Sequence, residues 1–441
     1  MTEDVIAVIL AAGDSGRLWP VKDKLNLYFG NITLLNHSVR QLKKAGISRF
    51  IIVTGKKNRQ NIQSLIPEKN AGISLNLIVQ ENNLGMAGAI LAAKNLIKDN
   101  KIIVVGPSDI VEDYLFSDFN RLLAGDPEGI FVGKKLDSYS PLGFYDIDAG
   151  TIAGVREKPG PSKAKGKPAA IILDYYRDSN KLLTAISAVR STTDDIYEKA
   201  KDILVRDGLV IKLLNYNGYW GYIKYPWHIL EVASYFLNKF PDKKNEAVLH
   251  ETVTIRGPVF IEDNVTILEN VKILGPVFIG KSSLIGQNCL IRESVIGEGN
   301  IIGFGSEITR SYLGSNCWFH QNYIGDSVVL DNTSFGSGAV IANYRLDGGN
   351  IISEVEGKKI DTNRTKLGAV VGRNVRIGVN SSVMPGVKIG ENSFVGSGVV
   401  LNSDLPENKY IEVRKDSYRV LNNKVNLKTG AMDKNLGNLK F

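Results

Sequence analysis

The chain is poor in cysteine. Its 441 residues hold two, Cys289 and Cys317, and no Cys-x-x-Cys pair. That excludes a disulfide framework and argues against a structural zinc site. Histidine is almost as scarce, with four in all. No apolar run approaches the roughly 18 residues of a membrane span. The first residues are acidic and lack the basic start of a secretory leader. A cytoplasmic protein that engages no membrane is expected. The net charge is +8, yet no dense basic block with interleaved aromatics appears. The charge therefore reads as a lysine-rich surface, compatible with phosphorylated substrates, and nucleic acid is not expected as a partner.

What is present is a soluble composition, 43% apolar and 23% charged, in a chain long enough for two or three domains. The first 240 residues alternate strand and helix signals. "VIAVIL", "RFIIVTG", "NLIVQ" and "KIIVVG" read as strands. "TLLNHSVRQLKKAG" and "MAGAILAAKNLI" read as helices between them. Continuous apolar strands alternating with helices predict an α/β, Rossmann-like domain with a largely parallel sheet. "YPWHILEVASYFLNKF" reads as its closing helix and the charged "PDKKNEA" as a linker. The expected domains are 1–245 and 246–441.

Beyond the linker the period changes to six. Ile255, Ile261, Ile267, Ile273, Ile279, Ile285 and Ile291 fall in phase. Four residues after each comes a small or aliphatic residue, from Val259 to Val295. The phase returns at Val371, Ile377, Val383, Ile389, Val395 and Leu401. A six-residue period of this kind predicts a hexapeptide β-helix, stacked around an inward aliphatic column. Cys289 then fills the wall and is not a reactive thiol. His320 follows the inward Phe319 and is expected to face out, as is Asn343. Between "ANYRLDGG" and "TKLGAVVG" the period lapses for about 20 residues, a length that often marks function. The last residues, from "YRVLNN" on, read as a partly ordered tail.

The opening strand runs into "LAAGDSGRLWP". Small residues there let backbone N–H groups approach a phosphate or base, and Arg17 adds a forked cation. This stretch with Lys24 resembles the signature loop of sugar-1-phosphate nucleotidylyltransferases. Further segments resemble the family in its order. "VQENNLGMAGAI" carries Gln80 and Gly85, "VVGPSDI" carries Asp109, "SPLGFYDI" carries Gly143, and "REKPG" carries Glu157 and Lys158. "GYWGYIKYPWHILE" resembles the closing segment. The resemblance implies transfer of a nucleotide from an NTP to a sugar 1-phosphate with release of pyrophosphate. It implies that Ala12, Gly13, Gly16, Gln80 and Gly85 line the nucleotide, that Gly143, Glu157 and Lys158 serve the sugar side, that Arg17 and Lys24 hold the triphosphate, and that Asp109 holds Mg²⁺. Two positions depart from the family. Tyr222 stands where a second carboxylate or amide ligand is usual, and a phenol is a poor Mg²⁺ ligand at neutral pH. Pro168 opens "PAAII", where the family has an amide for sugar hydroxyls.

In the second half, "HQNYIGDSVVLDNTSFGSGAVIANYRLDG" and "RTKLGAVVG" resemble the bifunctional N-acetylglucosamine-1-phosphate uridylyltransferase/glucosamine-1-phosphate acetyltransferases, particularly their archaeal branch. The resemblance implies a left-handed parallel β-helix, a homotrimer, and acetyl transfer from acetyl-CoA. His320 would act as general base, Tyr323 and Asn343 would position the amino sugar, and Lys366 would face its phosphate. Coenzyme A would lie along the coils from Gly372 to Gly398. UTP and acetyl-CoA are the implied co-substrates. Two other readings remain open on these residues. One is a nucleotidylyltransferase of other specificity, for glucose 1-phosphate with dTTP or mannose 1-phosphate with GTP, carrying a structural β-helix. The other is a degenerate regulatory subunit, which Tyr222 and Pro168 would suit.

Overall fold

The computed structural model describes residues 4–424, other than 14, 67–71, 83, 194, 415 and 416. The chain falls into two compact units, one of residues 1–14 and 33–222, the other of residues 15–32 and 223–441. The second unit therefore takes in a stretch expected in the first domain. The reason is aromatic packing. Phe29 stacks on Phe236 at 5.1 Å and lies 5.6 Å from Tyr312. The Tyr28 N–H donates to the Tyr312 hydroxyl at 3.2 Å.

Among the described residues the first unit is built on a nine-stranded sheet. In chain order its strands are β1 (Val5–Ala11), β2 (Arg49–Gly55), β3 (Ser74–Gln80), β4 (Lys101–Val105), β5 (Gly129–Lys134), β6 (Gly143–Asp148), β7 (Thr151–Glu157), β8 (Ala169–Tyr176) and β9 (Ile211–Asn215). They lie in the order β3-β2-β1-β4-β8-β5-β9-β7-β6. The first four are parallel, and β8 runs antiparallel to both of its neighbours β4 and β5. β1 is apolar at every position and buried almost throughout, as a strand covered on both faces must be. Leu34–Lys44 forms the helix after it, with the Thr33 hydroxyl accepting from the Asn36 N–H as an N-cap. β1 lies between β2 and β4, so successive connections leave it in opposite directions. The crevice beyond its carboxyl end is the place where such sheets bind ligands.

The far half of this sheet is pinned by a buried ion pair. Lys201 Nζ lies 2.7 Å from Asp174 Oδ2, with side chains 1% and 0% exposed. The Tyr197 hydroxyl donates to the same carboxylate at 2.8 Å, and Lys201 donates to the Tyr145 hydroxyl at 2.8 Å. The ammonium also sits 4.0 Å from the centre of the Phe131 ring. A charge out of water is tolerated only with such a full set of partners.

The second unit is a left-handed parallel β-helix of three sheets. Each strand stacks on the one a full coil later. Ile261 lies over Ile279, eighteen residues on. Ile255 is partly buried at the open end, and the other six in-phase isoleucines are fully buried. The coil then tightens. Ile279 lies over Ile296, seventeen residues on, and Ile308 over Ile324, sixteen on. Val295, expected in the inward column, instead pairs with Phe278, and Ile296 takes the inward place. Asparagines such as Asn264, Asn288 and Asn374 take positive φ at the corners, a conformation that their short polar side chain tolerates. Cys289 is buried, and burial pushes its thiol up to about 11.

One expectation is corrected here. The presumed linker is already coil, because Lys243 and Lys244 pair in parallel with Phe260 and Ile261. Of the presumed tail, Ser417–Asn422 forms an antiparallel strand against Lys409–Arg414, and residues 425–441 lie outside the described residues. The break in the period contains a hairpin, Ile352–Val355 against Lys358–Asp361. Its turn residues Glu356 and Gly357 both have positive φ, as a tight two-residue hairpin requires.

Lys201→Ala is expected to destabilise the first unit by about 3–5 kcal/mol, because it leaves Asp174 buried and unpaired. The double variant Asp174→Leu/Lys201→Met should lose less than Lys201→Ala alone. Thermal unfolding of the three proteins checks the order.

Candidate active sites

In the first unit the carboxyl edge of the sheet gathers most of the nucleotide-side residues. Ala12 and Gly13 follow β1, Gln80 ends β3, and Asp109 comes after β4. Gly13 is exposed, and a Cβ there would meet nothing within 4 Å. Gln80 is buried. Its amide donates to the carbonyls of Asn82 at 2.8 Å and Gly85 at 3.1 Å, bending the chain into the helix Gly85–Ala92. Gly85 opens that helix with φ 57°, which an L side chain resists.

Asp109 begins a short strand, Asp109–Val111, paired antiparallel with Trp220–Tyr222. Tyr222 stands directly opposite Asp109 in that register. Asp109 Oδ1 accepts from the Trp220 indole at 3.0 Å, and Oδ2 from the Ile172 N–H at 3.3 Å. The Tyr222 hydroxyl donates to Ser140 Oγ at 3.0 Å. Among the described residues no group of three or more His, Cys, Asp or Glu side chains is placed to hold a metal ion. Asp109 offers a carboxylate at this edge.

The residues expected on the sugar side also come together. Gly143 pairs with Glu157 across β6 and β7. A Cβ on Gly143 would lie 3.4 Å from Glu157 Oε2. Glu157 is ion-paired with Lys158, whose N–H donates to the Leu142 carbonyl at 3.0 Å. The Pro168 carbonyl accepts from the Tyr145 N–H at 3.0 Å.

Gly16, Arg17 and Lys24 belong instead to the second unit. Gly16–Leu18 and Lys24–Asn26 are single 3₁₀ turns, the latter capped by Asp23 Oδ1 accepting from the Leu25 N–H at 3.2 Å. Arg17 is exposed and Lys24 half-buried.

On the β-helix, His320 is exposed one residue after the fully buried Phe319. Its ring stacks on Trp318 at 5.5 Å. Its backbone is fixed by Asn322, whose Oδ1 accepts from the His320 N–H at 2.8 Å. The Asn322 amide donates to the carbonyls of Gly336 and Ala339, both at 2.9 Å. Tyr323 and Asn343 converge over Gly325, where a Cβ would lie 2.6 Å from Asn343 Nδ2 and 2.7 Å from the Tyr323 hydroxyl. Burial raises the Tyr323 phenol above its usual range. Lys366 is exposed and adjoins the pair, because Tyr344 and Lys366 form an antiparallel bridge and the Leu367 N–H donates to the Asn343 carbonyl at 3.0 Å.

Two residues escaped the sequence reading. Arg310 grips Asp326 with two parallel bonds of 2.7 Å, the strong bidentate form. The Asn343 amide donates to Asp326 Oδ2 at 2.5 Å. Arg310 and Asp326 thus aim Asn343. Asp326 lies inside the quoted "YIGDS" and its positive φ of 49° marks a special corner, but only coil stacking brings Arg310 beside it.

The comparisons also find two parts in the chain. Residues 6–221 match the family described as nucleotidyl transferase, and residues 368–403 match bacterial transferase hexapeptide (six repeats). A protein of Methanococcus maripaludis strain C5 named bifunctional protein GlmU is 32% identical over 92% of this chain and 96% of its own length. The strain C7 protein of the same name is 36% identical over 92% and 96%. The bifunctional sugar-1-phosphate nucleotidylyltransferase/acetyltransferase of Sulfurisphaera tokodaii is 30% identical over 92% of this chain and all of its own. The chain belongs to this bifunctional family. It is an enzyme with a nucleotidyltransferase and an acetyltransferase activity. Among the described residues no helix is long and apolar enough to cross a membrane.

In this bifunctional enzyme Asp326→Ala should lower kcat/KM for acetyl transfer at least tenfold, by releasing Asn343 and Arg310 together, and leave nucleotidyl transfer unchanged. Thiol release and pyrophosphate release from the same preparation check both halves of that statement.

Proposed function

We propose that the enzyme makes UDP-N-acetylglucosamine in two steps. Residues 246–441 acetylate glucosamine 1-phosphate with acetyl-CoA, and residues 1–245 transfer the uridylyl group of UTP to N-acetylglucosamine 1-phosphate. The observation that carries this reading is the outward cluster of Tyr323, Asn343, Asp326 and Arg310. A β-helix serving only as a spacer has no need of a charged, fully bonded scaffold that orients an amide on its outer wall.

In the acetyl step the sugar amine attacks the thioester carbonyl carbon. The C–S bond breaks and the thiol of coenzyme A leaves. His320 takes the proton that the attacking nitrogen loses, work suited to a neutral imidazole. Trp318 and Asn322 hold that ring and its backbone in place. Tyr323 and Asn343 orient the amino sugar, and Lys366 meets its phosphate. Coenzyme A lies along the coils between Gly372 and Gly398. A homotrimer completes this reading. Val340, Ser382 and Val400 stack in one sheet, and the two valines are exposed. Val379 and Met384 lie nearby in sequence and are also exposed. Apolar patches of this kind mark association surfaces. Light scattering should give three times the single-chain mass.

In the uridylyl step a phosphate oxygen of the sugar attacks the α-phosphorus, and pyrophosphate departs. Positioning and charge neutralisation supply the rate. Ala12, Gly13, Gly16, Gln80 and Gly85 hold the nucleotide, Arg17 and Lys24 its phosphates, and Gly143, Glu157 and Lys158 the sugar. Mg²⁺, when bound, neutralises phosphate charge, and Asp109 is its protein ligand. Tyr222, opposite Asp109 in the strand register, would be a poor second ligand.

A paired assay tests the proposal. Glucosamine 1-phosphate with acetyl-CoA is followed by thiol release. N-acetylglucosamine 1-phosphate with UTP and Mg²⁺ is followed by pyrophosphate release, with dTTP and GTP alongside. Release in both, with UTP preferred, is the expected result; silence in both would overturn it. His320→Ala should abolish acetyl transfer and spare uridylyl transfer. Tyr222→Asp should raise Mg²⁺-dependent uridylyl transfer severalfold.

A further inference from the structure

The break in the hexapeptide period leaves the wall at Asn343 and returns at Lys366, beside the acetyl cluster. Its hairpin touches the segment after Ser15. A Cβ on Gly16 would lie 3.3 Å from Glu356 Oε1 at the hairpin turn.

Lys388 explains the attachment. It is 2% exposed, a position a lysine tolerates only when fully partnered. Its ammonium lies 2.5 Å from Asp404 Oδ2 and donates to Ser353 Oγ at 3.2 Å. It also donates to the Glu354 carbonyl of the hairpin. The same ammonium sits 5.6 Å from the centre of the Trp19 ring. One buried cation thus joins the hairpin, a late coil and the segment 15–32. Nearby, Lys22 Nζ meets Glu391 at 2.7 Å and Glu407 at 3.1 Å. Trp19 stands two residues from Arg17, and Lys22 two residues from Lys24. Each presumed phosphate-binding cation therefore has an anchor beside it on the β-helix.

We infer that the hairpin 352–361, Lys388 and the Glu391/Glu407 pair form a clasp that sets the conformation of the loop Gly16–Lys24, so that Lys388 and Lys22 are positioning residues for nucleotide binding. A loop containing glycine must lose conformational freedom before it can bind a triphosphate. Anchoring it in advance removes that cost from binding. The period breaks because a hairpin long enough to reach the loop has to leave the wall. The inference rests on the reading that Arg17 and Lys24 take the triphosphate.

The test is calorimetric binding of UTP with Mg²⁺ to the full chain, with acetyl transfer measured in parallel. Lys22 is half exposed, so Lys22→Ala should fold normally. Lys22→Ala and Lys388→Met are each expected to raise the Kd for UTP fivefold or more. Lys388→Arg should recover most of the loss, and Lys22→Ala should leave acetyl transfer within twofold of the parent. An unchanged Kd in Lys22→Ala, whether or not Lys388→Met loses both activities, would overturn the clasp. Arg17→Ala separates the two ideas. If it leaves the Kd for UTP unchanged, the assignment of the phosphate loop fails. If it weakens binding while Lys22→Ala does not, only the clasp fails.

Discussion

Every outward feature of the second unit depends on one geometric demand, that each coil lie in register on the next. Strand N–H groups must meet carbonyls sixteen to eighteen residues away, and one side chain per strand must fill the shared interior. The wall tolerates the loss of a residue at a corner, as where Ile296 replaces the expected in-phase position. It does not tolerate an insertion that fails to return to the same level. Val329 therefore pairs with Val371 across the whole excursion, and the two feet of that excursion are fastened by the Tyr344–Lys366 bridge. That fastening is also what brings Lys366 to Asn343.

The two units place their candidate site residues in different ways. In the first, parallel strands deliver Ala12, Gln80 and Asp109 to one edge, and the backbone turns found there do much of the shaping. In the second, a straight wall carries a polar ladder on its outside. Asn322 is buried, uses its side chain on three backbone groups and fixes the residue that bears the imidazole. Arg310 and Asp326 do the same for Asn343. Rigid support of this kind keeps a functional side chain from spending binding energy on its own ordering.

Much of this was legible from the residues. The six-fold isoleucine phase located the β-helix wall and the outward direction of His320, because a period of six leaves little freedom in which side chains point in. The helix from Leu34 and the strand from Val5 followed from apolar spacing. Tyr222 stands opposite Asp109 in the register of two short strands. Other features depended on contacts that no local pattern encodes. Lys243 and Lys244 look like linker because the end coil has a neighbour on one side only. The place of residues 15–32 depends on Phe29 meeting Phe236 and Tyr312, both more than two hundred positions further on. Arg310 is sixteen residues from Asp326, and only the tightened coil makes that one turn of the wall.

The ends of the β-helix have a consequence for solubility. A stack of parallel strands presents unpaired backbone at its first and last rungs, and such rungs invite end-to-end growth into fibres. At the leading rung this chain puts Lys243 and Lys244, both exposed, whose charges repel a second copy of themselves. At the trailing rung the chain doubles back, and Ser417–Asn422 lies antiparallel on Lys409–Arg414. In that sheet a further parallel strand can no longer continue the pattern, so the leading rung is marked by charge and the trailing one by a reversal of strand direction.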